Sequence, residues 1–488
     1  MKKLLLLLFI THISAQFVAA QTTALEKQTD LVARQLKTFY NAKRADSIYG
    51  RFNAAFKSAV KQTAFENSLS QQLFPYGVIN SFVFERSKNG ANIYKAGLAT
   101  GLDLNMVVVL DSAGLVSGFQ IVPYKATVTA ADKRTKYYYD NPLKTATDSL
   151  VHAEASGFME NTKSPGLAIG LLLNGQQYLY NYGDAKKDSI PVTSNTGFEI
   201  GSITKTFTAF LLANAVVQKK IKLTDAITKY LPDSVAANKD LQVISIQQLS
   251  NHSSGLPRLP LNLYAGVTSA TDPYAAYDDK KLFTFLKYFK AQRKPGEKYE
   301  YSNLAVGLLG VILEKVNGMP LEKQYEQQIF IPFNMKNSYA GPVKTNLLTA
   351  LGYTDKGEPT SYWNFKAMAA AGGIKSTTTD LLLYAKPFVN MTTVADGRYK
   401  KQLDLLRKIT FSEDPAFIGL GWFIEQPDSA NFVLQHSGGT GGFRTHIRMM
   451  PAKKMAVVVF NNSAEEPGSP LLATRIMEAL LMRTGNEK

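Results

Sequence analysis

The run GLAIGLLLN (Gly166 to Asn174) breaks at Asn174-Gly175 and returns as QQYLYNYG. Both turn positions tolerate positive φ, so the stretch predicts a β-hairpin. Toward its end the chain offers further strands, GLGWFIEQ, NFVLQHSG, FRTHIRMM and MAVVVFNN, before a last helix over Pro470 to Arg483. A long, mainly helical region reaching about Leu406 lies between. Strands at both ends with helices between them predict one antiparallel sheet closed by both ends, flanked by helices, and a separate helical lobe. The fold class is α+β. A cleft between sheet and lobe is where binding groups collect.

A chain of 488 residues has room for more than this one domain. Leu25, Leu31, Val32, Leu36, Phe39 and Tyr40 recur at helical spacing, and a second helical segment is expected over Ile48 to Val60. The period then changes. INSFVFERSKNGANIYKAGL carries Asn89-Gly90 between two β-rich runs, and LDLNMVVVLDSAGLVSGFQIV repeats the pattern with a turn at Asp111 to Gly114. Helices followed by a meander predict a small α+β domain over residues 21–127. Residues 128–144 are polar and tyrosine-rich, with an Asn141-Pro142 break, and read as a linker. The larger domain then occupies residues 145–488, opening with a helix around Thr145 to Met159.

The first twenty residues have the pattern of a secretory leader: Lys2 and Lys3, an apolar run from Leu4 to Ile10, and small residues at Val18-Ala19-Ala20. The run is shorter than the ~20 residues that span a bilayer. Export to a bacterial periplasm or beyond is therefore expected, with no membrane span once the leader is gone. The chain has no cysteine, which excludes thiol nucleophiles, cysteine zinc sites and a lipid-modified N-terminal cysteine. Its formal charge is +16, two of those charges lying in the leader. The lysines are dispersed, and DKRTK (Asp132 to Lys136) falls in the linker, so no nucleic-acid partner is expected.

Chemistry enters at EIGSITKTFTAF, Glu199 to Phe210. Residues i and i+3 share a helix face, so Ser202 and Lys205 can meet. A serine hydroxyl becomes nucleophilic when a base within reach takes its proton, and Lys205 must be neutral to do so. The positive end of the helix and a cleft both disfavour its charge. The same helix end offers N–H groups to a developing oxyanion. The spacing recurs as Ser58-Ala59-Val60-Lys61 inside what reads as one continuous amphipathic helix, where the serine is blocked or merely solvated.

KYEYSNLAVGLLG places Tyr301 and Asn303 just before an apolar helix. A tyrosine oxygen there can relay a proton, and an asparagine amide can hold a substrate carbonyl. Tyr139-Asp140-Asn141 and Tyr362-Trp363-Asn364 match the same Tyr-x-Asn pattern; the latter reads as a cleft wall. QHSGGTGGFRTH supplies His436, Ser437, Gly438 and Gly439 at a strand end, where glycines admit a substrate backbone and the Gly439 N–H completes an oxyanion hole. No Gly-Lys-Ser/Thr follows, against a phosphate loop. His252 in SNHSSG reads as ordering a loop at the cleft rim, and His446 as one residue of an alternating strand. Neither has a second ligand at metal spacing, so no metal and no cofactor are expected. The Gly-x-Ser-x-Gly elbow is absent.

In this order the pieces resemble the serine β-lactamase and penicillin-binding-protein superfamily, in particular its class C and related esterase and peptidase branch. LSNHSSGLP, AAAGGIKSTTTDLLLYA and GLGW resemble that branch too, and the resemblance covers about residues 145 to 485. It implies the β-lactamase/transpeptidase-like fold and a two-step acyl transfer. Ser202 matches the family nucleophile, Lys205 its lysine, Tyr301 and Asn303 its second motif, and Gly439 its second oxyanion donor. The substrate implied is a small molecule or peptide with a carbonyl centre. The third motif departs from the family: His436-Ser437-Gly438 stands where lysine-threonine-glycine is usual. Histidine, with a reference pKa of about 6.5, is largely neutral at pH 7 and grips a carboxylate less well. The resemblance thus implies an exported esterase or peptidase. A penicillin-recognising D,D-peptidase or class C-like β-lactamase is the alternative, and a catalytically silent envelope-binding protein a second. The 21–127 region resembles, by topology, the nuclear-transport-factor-2-like type of domain.

Overall fold

The computed structural model describes residues 22–74, 77–88, 90–98, 103–123, 136–267, 269, 271–389, 399–413, 416–465 and 468–486. The expected leader, Asn89 of the Asn89-Gly90 turn and residues 128–135 of the polar connector lie outside these residues. The chain divides after Thr127 into two compact units.

In the first unit a long helix, Thr22–Asn41, precedes short helices Ala45–Gly50, Ala54–Ala59 and Gln62–Ser68. Strands Ile79–Lys88, Ala91–Leu98, Asp103–Leu110 and Val116–Pro123 then form an antiparallel meander. The second helical segment is broken rather than continuous. Phe52 bridges to Val116 and packs on Phe56, Phe65 and Phe119. Asn53 caps the next helix by accepting from the Phe56 N–H at 2.9 Å. Asparagine favours this cap because its side chain satisfies an N–H the helix leaves unpaired. Ser58 therefore lies in the last turn of one short helix and Lys61 immediately before the next, so the pair does not share a continuous helix.

In the second unit the large sheet has nine strands among the described residues, all antiparallel. Its order runs Phe411–Glu413, Ala416–Ile418, Phe423–Glu425, Val433–Gly439, Arg444–Met450, Met455–Asn461, Gly166–Leu173, Gln176–Lys186, Ile190–Pro191. Early and late strands meet in the middle, with Val459 opposite Ile169. Both central strands are nearly all apolar because both faces are covered. Helices Ala146–Asn161 and Gly468–Asn486 bury one face through Val151, Met159, Ile476, Leu167, Ile169 and Val457. On the other, Ala168, Leu172, Val458 and Phe460 join Leu382 and the core of the helical lobe. At the hairpin joining Gly166–Leu173 to Gln176–Lys186, Asn174 and Gly175 have φ of 50° and 88°, the two left-handed positions of a tight turn.

The connector sequence is anchored where it is described. The Asp140 carboxylate accepts from the Asn181 N–H at 2.7 Å, and Asn141 donates to Tyr182 Oη at 2.9 Å. Within the helical lobe, helices Thr204–Val217 and Asn303–Asn317 pack on each other, and the short turn Ala369–Gly372 packs on both. Among the described residues no single helix is long and apolar enough to cross a membrane.

Candidate active site

Strand Phe198–Glu199 leads through Ile200 into a single 3-10 turn, Gly201–Ile203, and then into helix Thr204–Val217. Ile203, Phe207, Phe210 and Leu211 are fully buried and fix that turn. Ser202 stays partly exposed on it. One turn on, the buried Lys205 Nζ donates to Ser202 Oγ at 3.0 Å and to the Ala371 carbonyl at 2.6 Å. The short turn Ala369–Gly372 thus aims the amine at the hydroxyl.

Strand Val433–Gly439 is pressed against the same turn. Gly201 has φ +50°, and a Cβ there would lie 2.6 Å from the Gly439 nitrogen. A Cβ on Gly438 would lie 1.9 Å from the Ile200 carbonyl oxygen. Thr445, paired with Gly438 across the strands, donates its hydroxyl to that carbonyl at 2.9 Å. Only glycine permits this approach, and it brings the Gly439 backbone beside the Ser202 turn.

Tyr301 closes the cluster. Burial pushes its hydroxyl up to about 12, while hydrogen bonding with Ser202 and the positive charge of Arg258 pull the other way. Its ring centroid lies 4.9 Å from Lys205 Nζ and 4.9 Å from the Arg258 guanidinium carbon. His252, at φ +63°, packs its ring 4.4 Å from that of Tyr301, and its Nδ1 accepts from the Ser302 N–H at 3.2 Å. Ser302 caps helix Asn303–Asn317, accepting from the Ala305 N–H and donating to the Pro257 carbonyl. His252 therefore orders the Tyr301 segment. Asn303 Nδ2 makes a long 3.4 Å contact to Tyr274 Oη, and its Oδ1 is buried without a protein partner.

The third motif is less uniform. His436 is buried, with its ring 6.3 Å from Tyr301 and 5.4 Å from Phe423. Its Nδ1 is 2.7 Å from the Ser437 carbonyl, which can only accept. That bond places a proton on Nδ1. Ser437 instead engages His446 Nδ1 across the strands at 2.9 Å. Of the other Tyr-x-Asn copies, Trp363 lies beside Gly441 and 5.2 Å from the Tyr274 ring, whereas Asp140-Asn141 is held on strand Gln176–Lys186.

Sequence reading missed two features. Glu199 and Lys375, each about 2% exposed, form an ion pair at 3.6 Å between neighbouring strands. Burial pushes the Glu199 carboxyl up, opposed by the Lys375 charge, the Thr440 hydroxyl and the Trp363 N–H. This carboxylate ties the approach to Ser202 to the turn after Gly439. A glutamate in the apolar stretch GFEIGS was the signal for it. Arg258 is the second, marked only by its place after SSGLP.

A cavity of about 520 Å³ lies further along helix Asn303–Asn317, lined by Asp278, Asp279, Gly307, Gly310, Glu314 and Phe365 among others. It contains none of the motif residues. Among the described residues no group of three or more His, Asp or Glu is placed to hold a metal ion.

The family model described as Beta-lactamase matches residues 151–481. The chain is 30% identical over 355 residues to a beta-lactamase of Pseudomonas fluorescens, covering 65% of this chain and 94% of that one. It is 27% identical over 373 residues to one of Lysobacter lactamgenus, covering 69% and 92%. Among solved structures it is similar to a class C beta-lactamase, with TM-score 0.62, 26% identity, and 70% and 99% of the two chains covered. A Beta-Lactamase/D-Alanine Carboxypeptidase from Pseudomonas syringae is similar at TM-score 0.61 and 26% identity, covering 68% and 99%.

Proposed function

The chain belongs to the beta-lactamase family and is a serine hydrolase; on that premise we propose that Ser202 is its nucleophile and that it cleaves an ester or amide through an acyl-enzyme. One observation carries the reading: Lys205 Nζ lies 3.0 Å from Ser202 Oγ on a turn pressed against Gly439.

A neutral Lys205 keeps one N–H on the Ala371 carbonyl and turns its lone pair to the Ser202 hydroxyl. As Ser202 Oγ attacks the substrate carbonyl carbon, its proton passes to Lys205 or Tyr301, both of which stand against the hydroxyl. The Ser202 and Gly439 N–H groups stabilise the developing oxyanion. Tyr301 returns a proton to the leaving group, and Asn303 holds a substrate amide or carbonyl. Water then attacks the acyl carbon and releases the acid and Ser202. His436, Ser437 and Gly438 line the strand on which substrate lies.

A serine-directed fluorophosphonate is expected to label the protein. Ser202→Ala abolishes labelling and lowers hydrolysis by about a thousandfold or more, whereas Ser58→Ala changes neither. Labelling that persists in Ser202→Ala overturns the assignment.

The names of the relatives favour a second reading, cleavage of β-lactams or D-alanyl peptides. His436 in place of lysine counts against it, and acylation by a fluorescent penicillin decides between them. A silent binding protein, the third reading, is left standing only if esters, anilides and β-lactams all fail in single-turnover assays of folded protein. We further propose export through cleavage after Ala20, which mass measurement of the mature chain tests.

A further inference from the structure

Arg258 belongs to none of the sequence motifs, yet it is fixed to them. Its carbonyl accepts from the N–H groups of Asn303 at 3.0 Å and Leu304 at 3.3 Å, so its backbone is pinned to the start of helix Asn303–Asn317. Its side chain is half-buried, with the guanidinium carbon 4.9 Å from the Tyr301 ring centroid. Among the described residues it makes no ion pair and no side-chain hydrogen bond. Arg293 pairs with Glu300 and Arg448 with Glu425, although each keeps at least one buried nitrogen without a protein partner.

A guanidinium held against aromatic faces gains a cation–π contact but leaves its N–H donors without an acceptor. Those donors form a planar fork that matches a carboxylate. At this half-buried position the fork still reaches solvent, so an arriving carboxylate can take the place of water on it. The third motif offers no formal lysine cation, because His436 stands in its place and its Nδ1–H is taken by the Ser437 carbonyl. The Arg258 guanidinium lies beside Tyr301, on the wall that its own backbone forms with the start of helix Asn303–Asn317.

We propose that Arg258 binds a carboxylate of the substrate, so that the enzyme selects anionic esters or amides through this wall rather than through the third motif. The inference rests on the acyl-enzyme reading at Ser202. A competing role is action on Tyr301 alone, since the Arg258 charge eases ionisation of that hydroxyl. That role affects neutral and anionic substrates alike.

The test is kcat/KM for matched aryl esters carrying a free carboxylate or its methyl ester, placed first in the acyl part and then in the leaving group. Wild type is expected to prefer the acid in at least one pair. Arg258→Gln loses about tenfold or more on the acid relative to its neutral partner, mainly through KM. Arg258→Lys keeps most of the preference and guards against a variant that misfolds. The absence of any acid preference in wild type, or equal losses on both partners in Arg258→Gln, overturns the proposal. Fluorophosphonate labelling of the same preparations separates the two readings. Labelled wild type without acid preference sinks Arg258 alone. Unlabelled wild type sinks the acyl-enzyme and this inference with it.

Discussion

Tyr301 touches Ser202, Lys205, Arg258 and His252 at once, and its protonation sets what it can do. A hydroxyl raised to about 12 is protonated at neutral pH and begins the cycle as a donor. Its folded value lies above the ordinary tyrosine value of about 10. The stability due to the protonated form is therefore complete below about pH 10 and lost as pH rises through about 12. A phenolate absorbance titration of wild type against Tyr301→Phe should show one missing step near pH 12. A missing step near pH 10 would mean the ring is not enclosed as described. The same variant should hydrolyse about a hundred- to ten-thousandfold more slowly, the range for loss of a positioned proton-transfer group.

Among the elements, the small sheet joining Phe198–Glu199 to Ile374–Ser376 is braced by Glu199 and Lys375, direct partners in register. Breaking a buried pair strands one charge. Glu199→Ala should therefore cost about 3–5 kcal/mol in denaturant unfolding, and Glu199→Gln with Lys375→Met should recover part of it. Equal losses in both would show that the charges are not paired. This bracing was illegible in the sequence, because its partners are adjacent only across strands of two residues and three residues. Periodicity cannot report elements so short. The central strands and their hairpin were legible, since residues Leu167 to Leu172 and the Asn174-Gly175 turn state their structure locally. The broken helix at Phe52 was not, because an aromatic cluster contributed by Phe65 and Phe119 decides it. At the site, the Ser202–Lys205 spacing could be read along one helix. The contact of Arg258 with Tyr301 depends on a loop fold that no spacing encodes.

At the scale of the whole molecule, every group assigned to the chemistry belongs to the unit that follows Thr127. Residues 128–488 produced alone should fold and take the fluorophosphonate label at Ser202. Loss of labelling in folded material would show that the first unit is required for reactivity. The large sheet carries a different implication. Its middle is made by Met455–Asn461 seated against Gly166–Leu173, a pairing between distant parts of the chain. Such long-range closure is slow. A polypeptide lacking Val433–Gly439 still carries the alcohol and the amine on one turn, held by the Ala371 carbonyl. What it lacks is the glycine edge pressed against that turn, so the part of the site that meets a substrate backbone is the last to be added.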